Sequence, residues 1–196
     1  MTIVIATNNK YKVKELQAML DMPNVTCVSM KDLGITLDVV EDGNEFWENA
    51  VKKATALYQL IDDDSYIVIA DDSGLCVDAL DGAPGVYSAR YSGGDDKENN
   101  LKLLEELEGV PDEERTAYFA CAIAMVRKGS IEIFKGECHG TIAHKEIGEN
   151  RFGYDPIFIH QGDTRTFGEV PAEEKNKISH RAEAIKKLKA YLLENI

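Results

Sequence analysis

The sequence has few basic residues for its size and no long apolar run, and both absences narrow the range of possible partners. Lysine and arginine together number 22 against 35 aspartates and glutamates, which gives a formal net charge of -13. A chain of this charge repels polyanions, which argues against general binding to nucleic acid or to anionic lipid. No segment approaches the roughly 20 apolar residues of a membrane span, and the first residues do not resemble a signal peptide. We therefore expect a cytoplasmic protein with no nucleic-acid or membrane partner.

Cysteine is scarce, and two glycine-rich signatures are missing. None of the 4 cysteines belongs to a CxxC pair or has a histidine at metal-ligand spacing, and their surroundings are apolar. This pattern predicts reduced, structural thiols rather than disulfides or a zinc site. Neither GxxxxGK[ST] nor GxGxxG occurs, so a P-loop NTPase and a Rossmann dehydrogenase lose their main support. The cysteines are Cys27, Cys76, Cys121 and Cys138.

Strand and helix patterns alternate along the chain, which is typical of an α/β fold. The predicted strands lie at 2–7, at 25–30, up to Asp71, in a long hairpin over 116–142, and at PIFIH (156–160). The predicted helices follow residue 7, cover 46–61, pass through Leu101, Leu104 and Leu107 to end at Gly109, and follow Ser179 as N-cap. We expect an α/β fold with a mixed β-sheet, as one domain over 1–196 with two lobes. The hairpin is a candidate for the second lobe.

Two adjacent carboxylates, Asp71 and Asp72, follow a run of buried-strand residues and precede Ser73 and Gly74. Neighbouring like charges repel, and a desolvated carboxylate without a partner is costly. The pair therefore indicates that a positive group is expected at this point. The alternative is that Asp71 caps a turn while Asp72 is solvated.

Three further acids are candidates to join the pair. They are Glu41 and Asp42, in an irregular loop at 31–45, and Glu48 on the second predicted helix. Parallel sheets place their binding crevice beyond the carboxyl ends of the strands, where Thr7 and Asp72 emerge if the first and third strands are neighbours. A few carboxylate oxygens completed by phosphate are a usual arrangement for Mg²⁺.

Two predicted helices begin with lysine, arginine or histidine, which the positive end of the helix dipole disfavours unless an anion shares the site. The first start is TNNKYK (7–12), with Lys10 and Lys12; the second is EEKNKISHR, with His180 and Arg181 preceded by Lys175. A phosphate would satisfy both the lysines and the free helix N–H groups. The alternatives are an asparagine-capped surface helix at the first and solvated charges at the second.

The segment RFGYDPIF (151–158) combines aromatic residues with turn formers. Phe152 and Tyr154 can offer aromatic faces, Gly153 permits close approach, and Asp155 precedes a proline, which keeps it out of the helical region. Such a segment could stack on and hydrogen-bond a purine base. A tight turn packed by its own aromatics explains the pattern equally well.

Together, TNNKYK, ADDSGLCVDALDGAPGVYSARYSG, FGYDPIF and EEKNKISHR resemble the inosine/xanthosine triphosphate pyrophosphatase family, in order and over nearly the whole chain. The resemblance implies Mg²⁺-dependent hydrolysis of ITP, dITP or XTP to the monophosphate and pyrophosphate. It also implies an elongated sheet with a central cleft between two lobes, and a homodimer. An aspartyl-phosphate phosphohydrolase and a non-catalytic nucleotide-binding regulator remain alternatives.

The resemblance also implies a role for each matching residue. Asp72 is then the proton acceptor and a metal ligand, and Glu41 is the second metal ligand. The implied substrate-binding residues are Thr7, Asn8, Asn9, Lys10, Tyr11, Lys12, Lys53, Ser73, Phe152, Gly153, Tyr154, Asp155, Lys175, His180 and Arg181. The chain departs from many family members at Asn8, where they have glycine, and at Cys76, where they have glutamate.

Overall fold

A computed structural model describes residues 1–195, so the last residue of the predicted domain lies outside the described residues. The strands are β1 (Thr2–Ile5), β2 (Thr26–Ser29), β3 (Tyr66–Val77), β4 (Thr116–Arg127), β5 (Ser130–Ile142) and β6 (Phe158–His160). The helices are α1 (Lys10–Met19), α2 (Phe46–Ile61), α3 (Asp96–Glu106), α4 (Ala172–Ile178) and α5 (His180–Asn195). The strand order across the sheet is β2-β1-β3-β4-β5-β6. Because β1 pairs in parallel with β2 and β3 while β5 and β6 pair antiparallel, the predicted mixed α/β sheet is confirmed.

The chain divides into two compact units, each of which is described by itself. Unit 1 contains residues 1–72, residues 121–136 and the described residues from Arg181 onward; unit 2 contains residues 73–120 and 137–180. The tip of the β4–β5 hairpin therefore belongs to unit 1 and its base to unit 2. The hairpin does not form a lobe of its own. The single domain with two lobes and a central cleft stays a prediction.

The core of unit 1 lies on both faces of β1, because its apolar residues are continuous rather than alternating. Ile3 and Ile5 pack with residues of α1 and α5, and Val4 packs with residues of α2. All three side chains are completely buried. Burial of one such side chain stabilises the fold by roughly 1.5–3 kcal/mol. This packing fixes the carboxyl end of β1, beyond which α1 begins.

The third strand is longer than the sequence predicts. It does not end at Asp71 but continues through both carboxylates to Val77. Ile5, the last residue of β1, pairs with Ile69, so β3 extends past its parallel neighbour. Its other neighbour, β4, is also 12 residues long. Pairing with β4 supplies hydrogen-bond partners for the backbone of β3 beyond the end of β1. The predicted adjacency of the first and third strands is confirmed, and both carboxylates lie just beyond the end of β1.

The buried face of the third helix agrees with the predicted one only in part. Leu101 is 46% exposed, whereas Leu103 and Leu107 are completely buried. The buried face starts with Asn99 and continues at positions four residues apart, as neighbours on one side of a helix do. The apolar spacing thus located the helix, which ends at Glu106 rather than at Gly109. Leu107 and the half-buried Leu104 contribute to the core as predicted, whereas Leu101 is exposed.

The cysteines are free thiols and three of them are buried, which agrees with the predicted structural role. Of the helices between residues 1 and 195, none combines the length and the apolar content that a bilayer crossing requires.

Candidate active site

Asp72 is the buried centre of a cluster of polar side chains in unit 1. Lys53, on α2, donates from Nζ to Asp72 Oδ1 at 3.3 Å and to Glu41 Oε2 at 2.9 Å. Asn49, one turn earlier on α2, donates from Nδ2 to the other oxygen of Asp72 at 3.0 Å. Only 8% of Asp72 is exposed. The helix and the loop before it therefore bring a lysine, an amide and a second carboxylate to Asp72.

The other predicted acids have different partners. Glu48 closes a capping box at the start of α2, where its Oε2 accepts from the backbone N–H of Glu45 at 3.3 Å and also from that of Asn44 at 2.7 Å. Asp42 pairs with Lys52 at the surface, with 2.5 Å between the charged atoms. Of these acids, Glu41 is the one whose lysine partner is shared with Asp72.

The pKa values of Asp72 and Glu41 move in opposite directions. Burial raises the pKa of Asp72 above its ordinary value; Lys53 and Lys12 counteract this effect, and the charge of Glu41 adds to it. Burial also acts to raise the pKa of Glu41, but Lys53 outweighs it and the pKa of Glu41 is lowered. Glu41 is therefore the more persistent anion and Asp72 the better proton acceptor, a division of labour seen in pairs of catalytic carboxylates.

Asp71 has its own set of partners, although it is the adjacent residue. Arg181 donates from Nε to Asp71 Oδ2 at 3.1 Å and from Nη2 to Oδ1 at 3.3 Å. Lys12 forms an ion pair with Asp71 Oδ1, and Cys121 Sγ donates to Oδ2 at 2.9 Å. Arg181 also binds Glu15 at 2.5 Å. Burial acts to raise the pKa of Asp71, but Arg181 and Lys12 outweigh it and hold that pKa well below its ordinary value.

The period of the strand separates the two carboxylates. Successive residues of a β-strand point to opposite faces of the sheet. Ile69 belongs to the core cluster formed with α1 and α5, whereas Ala70 belongs to the cluster formed with α2. Asp71 continues the first face and Asp72 the second. Because β3 does not stop at the pair, one carboxylate goes to each face.

Asp71 supplies the anion that the unusual helix starts require. Lys12 lies in the first turn of α1 and Arg181 in the first turn of α5, and both are paired with Asp71. For Lys12 and Arg181, the protein itself supplies the negative partner, whereas phosphate binding by Lys10 stays a prediction. Arg181 is 1% exposed, so its guanidinium supports the fold, and its contact with a nucleotide stays a prediction.

The backbone before α1 is capped by its own side chains. Asn9 Oδ1 accepts from the N–H groups of Tyr11 at 2.9 Å and Lys12 at 3.2 Å. Thr7 Oγ1 accepts from the N–H of Asn9 at 3.2 Å. This is the asparagine-capped helix that the sequence left open as an alternative. The exposed residues of the segment are Asn8, Asn9, Lys10 and Tyr11.

In unit 2, Lys175 is buried against the predicted base-binding segment. Its Nζ donates to Asp155 Oδ2 at 2.5 Å and lies 5.1 Å from the centre of the Phe152 ring. Asp155 also accepts from Asn150 at 2.8 Å. Lys175 lies on α4, which the sequence does not predict because its 7 residues are too few to show a periodic pattern. Gly153 and Ser73 are both half-buried.

The burial of Tyr154 corrects one expectation. Its side chain is 4% exposed, and its hydroxyl donates to the carbonyl of Ser88 at 2.8 Å. Tyr154 therefore belongs to the core of unit 2 and does not offer an open aromatic face, whereas Phe152 is half-buried. His180 is also buried and stacks on Phe119 with 4.7 Å between ring centres.

The Asp72 group suits one kind of metal site. Among residues 1–195, histidine, cysteine, aspartate and glutamate form no group of three or more that could enclose a metal ion. Asp72 and Glu41, joined by Lys53, offer hard oxygen donors from two side chains. Mg²⁺ commonly binds through one or two carboxylates, substrate phosphates and several waters. The donor set fits a divalent ion bound together with a phosphate ligand, not a closed protein cage.

Comparison with known proteins decides the family. The model of the Ham1 family matches residues 3–191. The chain belongs to the Ham1 family. A curated Clostridium tetani relative named dITP/XTP pyrophosphatase is 48% identical over 194 residues, which cover 97% of this chain and 96% of the relative.

Solved structures of Ham1 proteins have the same fold. The Staphylococcus aureus Ham1 protein superimposes with a TM-score of 0.87 at 40% identity and covers 100% of both chains. A Mycobacterium abscessus structure, titled as a nucleoside-triphosphatase / dITP/XTP pyrophosphatase, has a TM-score of 0.74 at 42% identity and covers 96% of this chain and 98% of that chain. These likenesses confirm the fold class and the family resemblance expected from the sequence.

Two residues of this Ham1 chain that belong to the polar networks around Asp71 and Asp72 are not predicted from the sequence. Asn49 contacts Asp72, and Glu15 shares Arg181 with Asp71. Asn49 is a polar residue in the first turns of an amphipathic helix, and Glu15 is one of many acidic residues in the sequence. The four-residue spacing from Asn49 to Lys53 can be recognised in the sequence, because it puts both residues on one side of the helix. Only the folded chain shows that the amide of Asn49 contacts β3.

Proposed function

We propose that the chain hydrolyses non-standard purine nucleoside triphosphates, such as ITP, dITP and XTP, to the nucleoside monophosphate and pyrophosphate. Membership of the Ham1 family and relatives named dITP/XTP pyrophosphatase support a nucleoside triphosphate pyrophosphatase. The observation that carries the proposal within the chain is the Asp72 group. It places a buried carboxylate of raised pKa within hydrogen-bond distance of a lysine that also binds a second carboxylate.

Asp72 is the proposed proton acceptor for the water that attacks the α-phosphorus. A carboxylate with a raised pKa accepts a proton more readily at neutral pH than an ordinary aspartate does. Asn49 donates a hydrogen bond to one oxygen of Asp72, and Lys53 donates to the other. Proton transfer to Asp72 also removes a charge that burial disfavours, so the environment favours the step.

Positive charge around the phosphates is the second requirement, because phosphoryl transfer depends mainly on positioning and electrostatic stabilisation. Lys53 and the exposed Lys10 are the proposed phosphate contacts. Lys12 can bind a phosphate only in competition with Asp71, with which it is paired. Glu41 and Asp72 are the residues that would hold Mg²⁺. When bound, this ion would neutralise charge on the phosphate oxygens and on the pyrophosphate leaving group.

Base recognition is proposed for unit 2. Phe152 offers a half-buried ring over Lys175, and Asp155 holds the lysine in place. A site whose donors meet a 6-oxo group accepts hypoxanthine or xanthine and leaves the 6-amino group of adenine without a partner. Gly153, with its N–H bonded to Asp96 at 2.8 Å, keeps the segment in its turn.

Product analysis tests the proposal. The protein is incubated with Mg²⁺ and with ITP, XTP, ATP or GTP in turn, and pyrophosphate and orthophosphate are measured separately. We expect pyrophosphate, released from ITP and XTP with a much higher kcat/KM than from ATP or GTP. Release of orthophosphate would instead support an aspartyl-phosphate phosphohydrolase, and binding without turnover would support a regulator. The homodimer and the cytoplasmic location stay predictions, of which light scattering tests the first.

A further inference from the structure

Helices α2 and α3 begin with the same local arrangement. Each starts at an acidic residue that forms a capping box with a glutamate three positions later. In each helix the next residue is an asparagine, Asn49 in α2 and Asn99 in α3. Both asparagines are 1% exposed. The chain thus contains the same buried amide twice, each within its own unit.

The oxygen of each amide serves the same purpose. Asn49 Oδ1 accepts from the backbone N–H of Gly43 at 2.8 Å, and Asn99 Oδ1 accepts from that of Ser92 at 2.7 Å. In both cases the amide ties the helix to the loop that precedes it. This half of the arrangement is structural, because it fixes a loop N–H to the start of the helix.

The nitrogen of each amide has a different partner. Asn99 Nδ2 lies 3.5 Å from the backbone carbonyl of Ala89, at the limit of a hydrogen bond. Asn49 Nδ2 donates to Asp72 Oδ2 at 3.0 Å. A hydrogen bond to an ionised carboxylate is shorter and stronger than one between neutral groups. Asn49 therefore joins the loop before α2 to a carboxylate of the candidate site, and Asn99 does not.

We propose that Asn49 is a positioning residue that holds Asp72 and the Glu41 segment in one arrangement and thereby sets the affinity for a divalent ion. The inference rests on the proposed function for the identity of the site. Glu41 lies between two anchored points of its loop. Asn49 holds Gly43, and Asn8 donates from Nδ2 to the carbonyl of Leu37 at 3.0 Å.

The close packing of Gly43 is independent support. A Cβ atom at this position would lie 2.6 Å from Asn49 Oδ1 and 2.9 Å from the Cβ of Glu48. Backbone and amide therefore approach more closely than any other residue type permits. Polar groups that orient a metal ligand typically change metal affinity or activity 10–100-fold when they are removed.

Asn49→Ala and Asn99→Ala provide a matched comparison. We expect both variants to lose thermal stability, because each loses a buried amide that fixes a loop to the helix. Titration with Mn²⁺ alone, followed by electron paramagnetic resonance, should show an affinity about 10–100-fold weaker for Asn49→Ala and unchanged for Asn99→Ala. With ITP at saturating metal, Asn49→Ala should lower kcat more than it raises KM.

The inference is overturned if Asn49→Ala keeps the Mn²⁺ affinity of the unaltered protein, or if Asn99→Ala loses as much. Should Asn49→Ala fail to fold, Gly43→Ala displaces the same amide without deleting it and should weaken Mn²⁺ binding in the same direction. The pyrophosphate assay on the unaltered protein is read separately. If that assay shows no turnover, the proposed function fails, while the Mn²⁺ comparison still decides the role of Asn49.

Discussion

Asp71 and Asp72 are adjacent in the chain and opposite in character. Asp71 is held by Arg181 and Lys12, and its pKa is well below the ordinary value. Asp72 shares Lys53 with Glu41, and its pKa is raised. The difference shows how a strand that continues through two acids gives each a separate environment, one structural and one suited to chemistry.

The two carboxylates also differ in how far neighbouring cations balance their negative charge. The charge of Asp71 is matched by the buried Arg181 and the half-buried Lys12, and Arg181 has Glu15 as a further partner. Around Asp72, one lysine serves two carboxylates. A group with more negative than positive charge is ready to accept a divalent ion, whereas a balanced buried network mainly fixes structure.

Replacement of Asp72 should have the largest effect on activity. We expect Asp72→Asn to lower turnover of ITP by about 10²–10⁴-fold, the range typical of a lost general base. The unfolding free energy should be unchanged or slightly higher, because a buried charge of raised pKa is removed. Pyrophosphate release and urea unfolding of the same preparation check both parts; near-normal turnover would exclude Asp72 from the role.

Replacement of Asp71 should have the largest effect on stability. Asp71→Asn leaves the buried guanidinium of Arg181 without its main partner, and breaking such a pair typically costs about 3–5 kcal/mol. We expect a correspondingly lower urea midpoint, with Glu15 limiting the loss. Asp71→Asn combined with Arg181→Met should recover part of the stability. If the double variant is no more stable than the single one, the pairing is not the cause.

Neighbouring lysines on α2 give the next largest effect. Lys53→Met removes the cation shared by Asp72 and Glu41 and should lower kcat/KM by about 10–100-fold, as expected for a charge-assisted hydrogen bond worth roughly 1.5–3 kcal/mol. Lys52→Met is the control, because Lys52 pairs with the exposed Asp42. The change in activation free energy that Lys52→Met causes, calculated from kcat/KM, should stay within about 0.5 kcal/mol. Equal losses in the two variants would contradict the special position of Lys53.

The dependence of stability on pH should show the smallest difference. The ionised form of Asp71 stabilises the fold above the ordinary aspartate pKa of about 3.9, and this contribution is lost as pH falls through its lowered folded pKa. Asp72 has the opposite sign: the fold gains relative stability as pH falls through its raised folded pKa. With EDTA present, the urea midpoint of Asp71→Asn should decrease less than that of the unaltered protein as pH falls. The midpoint of Asp72→Asn should decrease more. Identical profiles would contradict the assigned pKa directions.

Much of the fold is predictable from the sequence, because β-branched runs and helical spacing of apolar residues reflect burial directly. The start of α2 at Phe46 and the apolar run of β1 are examples. The extent of β3 is not predictable in this way, since two adjacent acids look like the end of a strand. Its continuation depends on a partner strand that begins at Thr116, far along the chain.

The candidate site is predictable in its residue types and not in its pairings. The expectation that lysines and carboxylates belong together holds for Lys53 and Asp72, while Lys12 and Arg181 turn out to be partners of Asp71. Which acid meets which cation depends on the face of the strand, and that face depends on the strand continuing. Asn49 shows the same limit, because its partner lies on another element.

The most direct test measures Asp71→Asn and Asp72→Asn side by side, with pyrophosphate release from ITP normalised to the folded fraction and plotted against the unfolding free energy. We expect Asp72→Asn to be stable and nearly inactive, and Asp71→Asn to be unstable while its folded fraction retains far more activity. If both variants lose activity and stability together, the two carboxylates form one site and the separation between them is wrong.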